Sequence, residues 1–254
     1  MHQGWAHTGK QAERIKLLAE IDVLEALGTE EMNRLGQRIP ERDFHSAEMV
    51  YVPGDASEVV YLLLTGRIRL YAMSRDQELT FEVIQGGSIF GIAALMEQPE
   101  AEYAQALEPS RVGLLRLRDF WRLVGQTPEV NARVIGVLGE RLRRNRNRMK
   151  DIALKKVPAR LASLILDLVE GEGIVTREGH YAIHTPYTHE QIATMIGAKR
   201  VAVTKAFRNL QEAGCLRRSR RQIYVFDLAT LQRCALALNA PSNFREGPFS
   251  ASRE

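Results

Sequence analysis

Hydrophobic and polar positions change period twice along the chain. Between residues 15 and 39, Leu18, Ile21, Leu24, Leu27, Met32 and Leu35 recur at helical intervals. Gly28 and Thr29, followed by Glu30 and Glu31, predict a break and a new helix start. From 47 to 117 the pattern shortens into β-type runs at 49–52, 59–64, 68–73, 79–84 and 112–117. Pro53-Gly54-Asp55, Thr65-Gly66-Arg67, Gln85-Gly86-Gly87 and Phe90-Gly91 divide them. Many short strands at this spacing predict a small antiparallel barrel or roll, with a brief helical insertion at 92–97.

Helical spacing returns at Thr127-Pro128-Glu129, which supplies a cap, a preset φ and a charge that suits the helix dipole. Ile135, Leu138, Leu142, Asn145, Met149 and Ile152 then alternate at three and four residues. This is a short heptad seam, and the expectation is pairing with a second copy of the chain. Asn145 within the seam would fix register, and the dense cations beside it leave little other apolar surface. The alternative is a single helix packed on its own roll. Lys156-Val157-Pro158 predicts a hinge, 159–168 another amphipathic helix, and 173–183 a hairpin. The first dozen residues and the tail from 241 lack periodicity and are expected to be loose.

The most informative window is 188–210. Thr188-His189-Glu190-Gln191 has the capping-box pattern, and a short helix from Gln191 would stop at Gly197, where positive φ costs nothing. A second helix starts near Lys199. Ala193 is small where two helices must approach, and Val203, Ala206, Phe207 and Leu210 form an inward face. Lys199, Arg200, Val201, Thr204, Lys205 and Arg208 form an outward one. Such a helix suits the major groove, with its first turn nearest the bases. Beyond Gly214, residues 215–218 and 222–226 read as two strands about a turn of Ser219-Arg220-Arg221, with Arg217 and Arg218 alongside. A cationic wing of this kind reaches phosphates and adds affinity without reading sequence.

Charge sharpens this picture. The 254 residues are 45% hydrophobic and 26% charged, with a net charge of only +4. The excess is concentrated: residues 141–150 hold six Arg or Lys and no acid, and 188–221 hold eight against Glu190 and Glu212. That is a phosphate-binding footprint, although the first run alone reads equally as a solvated helix face. No run approaches the ~18 apolar residues of a membrane span, and residues 1–10 lack the apolar core of a secretion signal. A cytoplasmic protein with no membrane partner is expected. Cys215 and Cys234 have no CxxC partners, exclude a four-cysteine zinc or iron–sulfur site within one chain, and are expected to sit in packing.

Taken together, residues 15–238 resemble the cyclic-AMP receptor protein and fumarate-nitrate regulator (CRP/FNR) family of transcription regulators. Val52-Pro53-Gly54-Asp55, Tyr61-Leu62-Leu63-Leu64-Thr65-Gly66, Gly87-Ser88-Ile89-Phe90-Gly91 and the helix-turn-helix carry the resemblance. It implies an α+β architecture: an antiparallel β-roll (a cyclic-nucleotide-binding-like double-stranded β-helix), a long dimerisation helix and a C-terminal winged helix-turn-helix. The expected boundaries are 1–14 flexible, 15–126 roll, 127–156 dimer helix, 157–240 DNA-binding domain and 241–254 flexible tail. It also implies a homodimer on a roughly palindromic operator, with RNA polymerase as a further partner and activation as the expected outcome.

By the same resemblance, the DNA-binding set comprises Thr188, His189, Lys199, Arg200, Val201, Thr204, Lys205, Arg208, Arg218, Arg220 and Arg221. Arg200 fills the place of the arginine that reads guanine, by a bidentate contact to O6 and N7. Lys205 falls where many members carry a second base-reading arginine, and a point charge reads less sharply than a fork. Val201 stands where the cyclic-AMP branch has glutamate, and it can touch a thymine methyl. The effector pocket departs further. Phe90-Gly91 is followed by Ile92, which cannot accept from a ribose hydroxyl, and the Arg-Ser pair of cyclic-AMP binders falls at Glu102 and Tyr103. A carboxylate there repels a cyclic phosphate. Asn145 and Arg146 occupy positions that often contact effectors.

No cofactor is expected: the iron–sulfur branch needs an absent cysteine cluster, His45 is a lone candidate for haem, and His180 and His184 lack a third metal ligand. Two alternatives are a regulator gated by an unidentified effector and a sensor adaptor that never touches DNA. A roll enzyme or metal-binding cupin would need converging His or carboxylate ligands, and only His45 is at hand.

Overall fold

The computed structural model describes residues 3–75, 77–184, 187–219 and 222–237. The chain divides into two compact units, Met1–Asn145 and Arg146–Glu254.

The first unit opens with α1 (Gln3–Ala19) and α2 (Thr29–Gly36). The N-terminal stretch expected to be loose is thus largely helical. Its polar positions hide the periodicity, but Arg14 on the same helix pairs with Glu41 at 2.6 Å and donates to the carbonyl of Ile39. Eight strands follow: β1 (Glu41–Phe44), β2 (Met49–Tyr51), β3 (Val59–Thr65), β4 (Arg67–Ser74), β5 (Gln77–Gln85), β6 (Ser88–Phe90), β7 (Tyr103–Ala106) and β8 (Ser110–Arg116). A 3-10 turn, Ile92–Met96, interrupts them, and α3 (Leu117–Gln126) and α4 (Pro128–Leu154) come after.

Two four-stranded antiparallel sheets, ordered β1-β8-β3-β6 and β2-β7-β4-β5, make the roll. β3 explains its own unbroken apolar run. Successive side chains point to opposite faces. Val60, Leu62 and Leu64 join the core shared with α1, α2, α3 and the start of α4, while Tyr61 and Leu63 face the roll interior with Ile68, Phe90 and Val112. Both faces are covered, so the strand is hydrophobic from Val59 to Leu64, and only Thr65 at its end is polar and exposed.

The second unit contains the end of α4, then α5 (Val157–Glu172), with Lys156 at its N-cap and a proline in its first turn. β9 (Gly173–Val175) and β10 (Tyr181–Ile183) pair as the expected hairpin. Next come α6 (His189–Ile196), α7 (Arg200–Glu212), β11 (Leu216–Arg218), β12 (Ile223–Val225) and α8 (Leu228–Leu236). The strands form one sheet, β11-β12-β10-β9. Its core includes Leu161, Ile165, Ile183, Ile192, Val203, Phe207 and Leu231, each at most 2% exposed.

Along α4 the predicted seam divides. Ile135, Leu142 and Met149, seven residues apart, are 65%, 60% and 70% exposed, while Leu138 packs against the first unit's core. Asn145 is exposed and Ile152 half-buried.

Candidate nucleic-acid interface

The helix-turn-helix is built as its residues demand. Thr188 Oγ1 accepts from Gln191 N at 3.1 Å, and Gln191 Oε1 accepts from Thr188 N at 2.8 Å, closing the capping box at the start of α6. Gly197 ends the helix at φ 60°, ψ 49°, a left-handed conformation that a Cβ would strain. Arg160 on α5 holds this turn from below. Its Nη1 donates to the carbonyls of Ile196 (3.2 Å) and Gly197 (3.3 Å). These are C-terminal carbonyls of α6, where a cation also suits the dipole.

Lys199 is the N-cap of α7 and makes no side-chain capping hydrogen bond. Val203, Ala206, Phe207 and Leu210 are buried, as their spacing requires. Lys199, Arg200, Val201, Thr204, Lys205 and Arg208 are all exposed. Val201 is 80% exposed. Arg208 shares an exposed ion pair with Glu212 at 3.1 Å. Among the described residues, no group pairs with the guanidinium of Arg200 or the ammonium of Lys205.

His189 and Thr204 join the two helices. Thr204 Oγ1 donates to Arg200 O at 3.1 Å and lies 2.8 Å from His189 Nδ1. The hydroxyl's only proton is used on the carbonyl, so Nδ1 carries the hydrogen and donates to Thr204. The imidazole stacks on Phe207 at 5.2 Å, and its Nε2 is buried without a partner. Burial, then Arg218 and Arg200, push the His189 pKa below its ordinary value. His189 thus braces α6 against α7 through Thr204 and Phe207.

Arg218 is likewise engaged within the domain. It sits on wing strand β11, but its Nη2 donates to Tyr187 O at 2.7 Å and its guanidinium lies over the Phe207 ring at 5.2 Å. It fastens the wing to the segment ahead of α6. Arg217, the alternate residue of the strand, is exposed. Arg220 and Arg221, the expected wing tip, lie outside the described residues.

In the roll, Gly91 has φ 68°, and a Cβ there would stand 2.3 Å from the Tyr61 ring. Tyr61 stacks on Phe90 at 5.0 Å and meets Tyr51 at a tilt of 41° with ring centroids 5.3 Å apart. Tyr103 turns away to stack on Tyr71 at 5.1 Å, and Ile92 is half-buried. Glu102 does face inward. Burial first, then Glu100 and Glu82, push its pKa up to about 7 against the opposing pull of Arg141. Glu100 is 3% exposed, accepts from the Ser57 hydroxyl, and is itself raised mainly by burial. Arg141 pairs with Glu82 at 3.6 Å and donates to Ile89 O.

The inward-facing cation of α4 is therefore Arg141, whereas Asn145 and Arg146 are exposed. Helical spacing could have found it, since Val130, Val134, Val137, Leu138 and Arg141 follow one face. His45 lies outside the roll core, 94% exposed in its side chain and 3.3 Å from Glu48.

Two family models match this chain. The cyclic nucleotide-binding domain covers residues 41–127 and the Crp-like helix-turn-helix domain covers 159–234. The chain belongs to the CRP/FNR family. It is a sequence-specific DNA-binding transcription regulator of that family. Among its relatives, the CRP-like cAMP-activated global transcriptional regulator of Mycobacterium tuberculosis H37Rv is 24% identical over 223 residues, 87% of this chain and 99% of that protein. The global nitrogen regulator of Synechococcus elongatus is 26% identical over 192 residues, 74% of this chain and 86% of the relative. In fold, a CooA double mutant from Carboxydothermus hydrogenoformans superposes with a TM-score of 0.75 at 23% identity, covering 87% of this chain and 99% of that one. Among the described residues, no helix of this regulator is long and apolar enough to cross a membrane.

Proposed function

We propose that this regulator binds a two-fold symmetric operator as a homodimer, with α7 of each copy in the major groove of one half-site. The exposed face formed by Arg200, Val201, Thr204 and Lys205 carries this reading. Arg200 would read a guanine by its fork, Val201 a neighbouring thymine methyl, and Lys205 a less sharply defined position. Lys199, Arg208 and Arg217 add phosphate contacts that position the helix. The exposed stripe of Ile135, Leu142 and Met149 is the surface that a second copy would cover, and RNA polymerase is the downstream partner at activated promoters.

We further infer that cyclic AMP is not its effector. The Mycobacterium tuberculosis relative is named as cAMP-activated, but here Glu102, Glu100 and Glu82 face the interior against one cation, Arg141. That balance repels a cyclic phosphate, and Tyr51, Tyr61 and Phe90 fill the adjoining space. The DNA-bound state would form without any added ligand. A second reading, gating by an unidentified small molecule inside the roll, is favoured by the buried Tyr51 hydroxyl and the Glu102 carboxyl beside it, which offer polar groups to a ligand.

Selection of bound fragments from a random duplex pool, with nothing added to the purified protein, tests both. Enrichment of an inverted repeat with an invariant guanine in each half supports the proposal. No enrichment without an added small molecule would move the balance to the gated reading; no enrichment under any condition would contradict DNA binding itself.

A further inference from the structure

Thr204 supplies the hydroxyl on the outer face of α7, and the protein itself already uses it. Thr204 Oγ1 donates to Arg200 O at 3.1 Å and accepts from His189 Nδ1 at 2.8 Å. A hydroxyl has one proton, so an accepting base edge would have to take it from the Arg200 carbonyl. The rotamer is also held. A threonine in a helix divides between two χ1 wells because its oxygen can bond the carbonyl one turn back. His189 decides between them here, since its own ring is clamped. It stacks on Phe207 at 5.2 Å and 14°, and Phe207 is 2% exposed with the Arg218 guanidinium over it.

Thr204 is nevertheless exposed as a residue. With its oxygen turned back onto α7 and α6, the group it offers a partner is the Cγ2 methyl. Val201, 80% exposed, precedes it by three residues on the same helix. Neighbours at that spacing stand about 5–6 Å apart at Cβ. The two form an apolar diagonal, with Arg200 in line with Thr204 and Lys205 in line with Val201. Base pairs rise about 3.4 Å each, so this diagonal spans one or two base-pair steps. On the major-groove edge, the C5-methyl of thymine is the matching apolar group.

We propose that Thr204 reads DNA through its methyl and not its hydroxyl, and that with Val201 it recognises two thymine methyls one or two base-pair steps apart, beside the guanine taken by Arg200. This deepens the operator reading above and rests on it. His189 is the positioning residue: it determines which end of Thr204 faces outward. The half-site is then read by one fork, one point charge and two methyls, so most of the hydrogen-bonding edge at the two thymines goes unread.

An operator selected from a random duplex pool is resynthesised with deoxyuridine in place of each thymine in turn, which removes only the methyl, and titrated with the unaltered chain. Two thymines in each half-site, one or two steps apart, should each cost about four-fold in affinity, the worth of one buried methyl-sized group. Thr204→Val keeps the methyl and should keep both sensitivities. Thr204→Ser keeps the hydroxyl and should lose one of them, and Val201→Ala should lose the other. His189→Ala should weaken only the sensitivity that Thr204→Ser removes, and His189→Asn, which retains a donor, should preserve it. Each comparison sets two duplexes against one protein, so changes in protein stability cancel. An operator without such thymines, indifference to deoxyuridine at every position, or a serine variant that keeps the sensitivity a valine variant loses would overturn the methyl reading while leaving the Arg200 guanine contact in place. A chain that selects no operator would overturn both.

Discussion

His189 Nδ1 and Thr204 Oγ1 stand 2.8 Å apart, and through that bond the first helix of the helix-turn-helix fixes a side chain on the outer face of the second. The imidazole must stay neutral to remain there. Protonation would add a hydrogen at Nε2, which is buried without an acceptor, beside Arg200 and Arg218. The folded pKa is depressed, so unfolded chains bind the extra proton first. The stabilisation is complete above the ordinary value near 6.5 and is lost as pH falls through the lower folded value. Melting curves between about pH 8 and about pH 5 should show this decline, and His189→Asn, which retains a donor, should flatten it. An identical pH slope in the variant would remove His189 as the cause.

Arg200→Ala should cost about 1–3 kcal/mol on operator DNA while barely changing affinity for random duplex. Titration of both duplexes by fluorescence anisotropy checks this. Equal losses on the two would make Arg200 a phosphate contact rather than a base reader.

The helix-turn-helix was almost fully legible because its signals are local: a capping box, a left-handed glycine and a burial pattern within one window. The direction of individual side chains was not. Arg218 reads from sequence as one more wing cation, and only the tertiary placement of Tyr187 O and Phe207 turns it inward. In the roll, β3 announced itself through its two buried faces, whereas β1 was silent. Glu41, Arg42 and Asp43 are exposed at a sheet edge, where Asp43 pairs with Arg111 at 3.0 Å, and only Phe44 is buried. α3 starts from Arg116 without a side-chain cap, so its start is unmarked, although Leu117, Phe120, Trp121 and Val124 hold helical spacing within it.

Glu102→Gln tests the acidic interior of the roll. Its folded pKa of about 7 lies above the ordinary 4.5, so its contribution to stability is full below 4.5 and is lost as pH rises through about 7. The amide should therefore raise the melting temperature by a few degrees at about pH 8 and leave it unchanged at about pH 4. The same gain at both values would mean that charge is not the cause.

Leu142→Asp should abolish pairing through α4. Covering Ile135, Leu142 and Met149 on two copies contributes on the order of 5–10 kcal/mol, similar to the cost of association, so one buried unpaired charge decides the balance. Sedimentation should report monomer for the variant and dimer for the parent. A dimeric variant would place the seam elsewhere.

Methylation interference at guanine N7 on a selected operator tests the central claim most directly, because N7 lies on the major-groove edge where Arg200 would bind. Two interfering guanines related by two-fold symmetry are expected, with half-site centres about 10–10.5 base pairs or a multiple apart, and both signals should be lost in Arg200→Ala. Tight, specific binding that N7 methylation leaves untouched would contradict it.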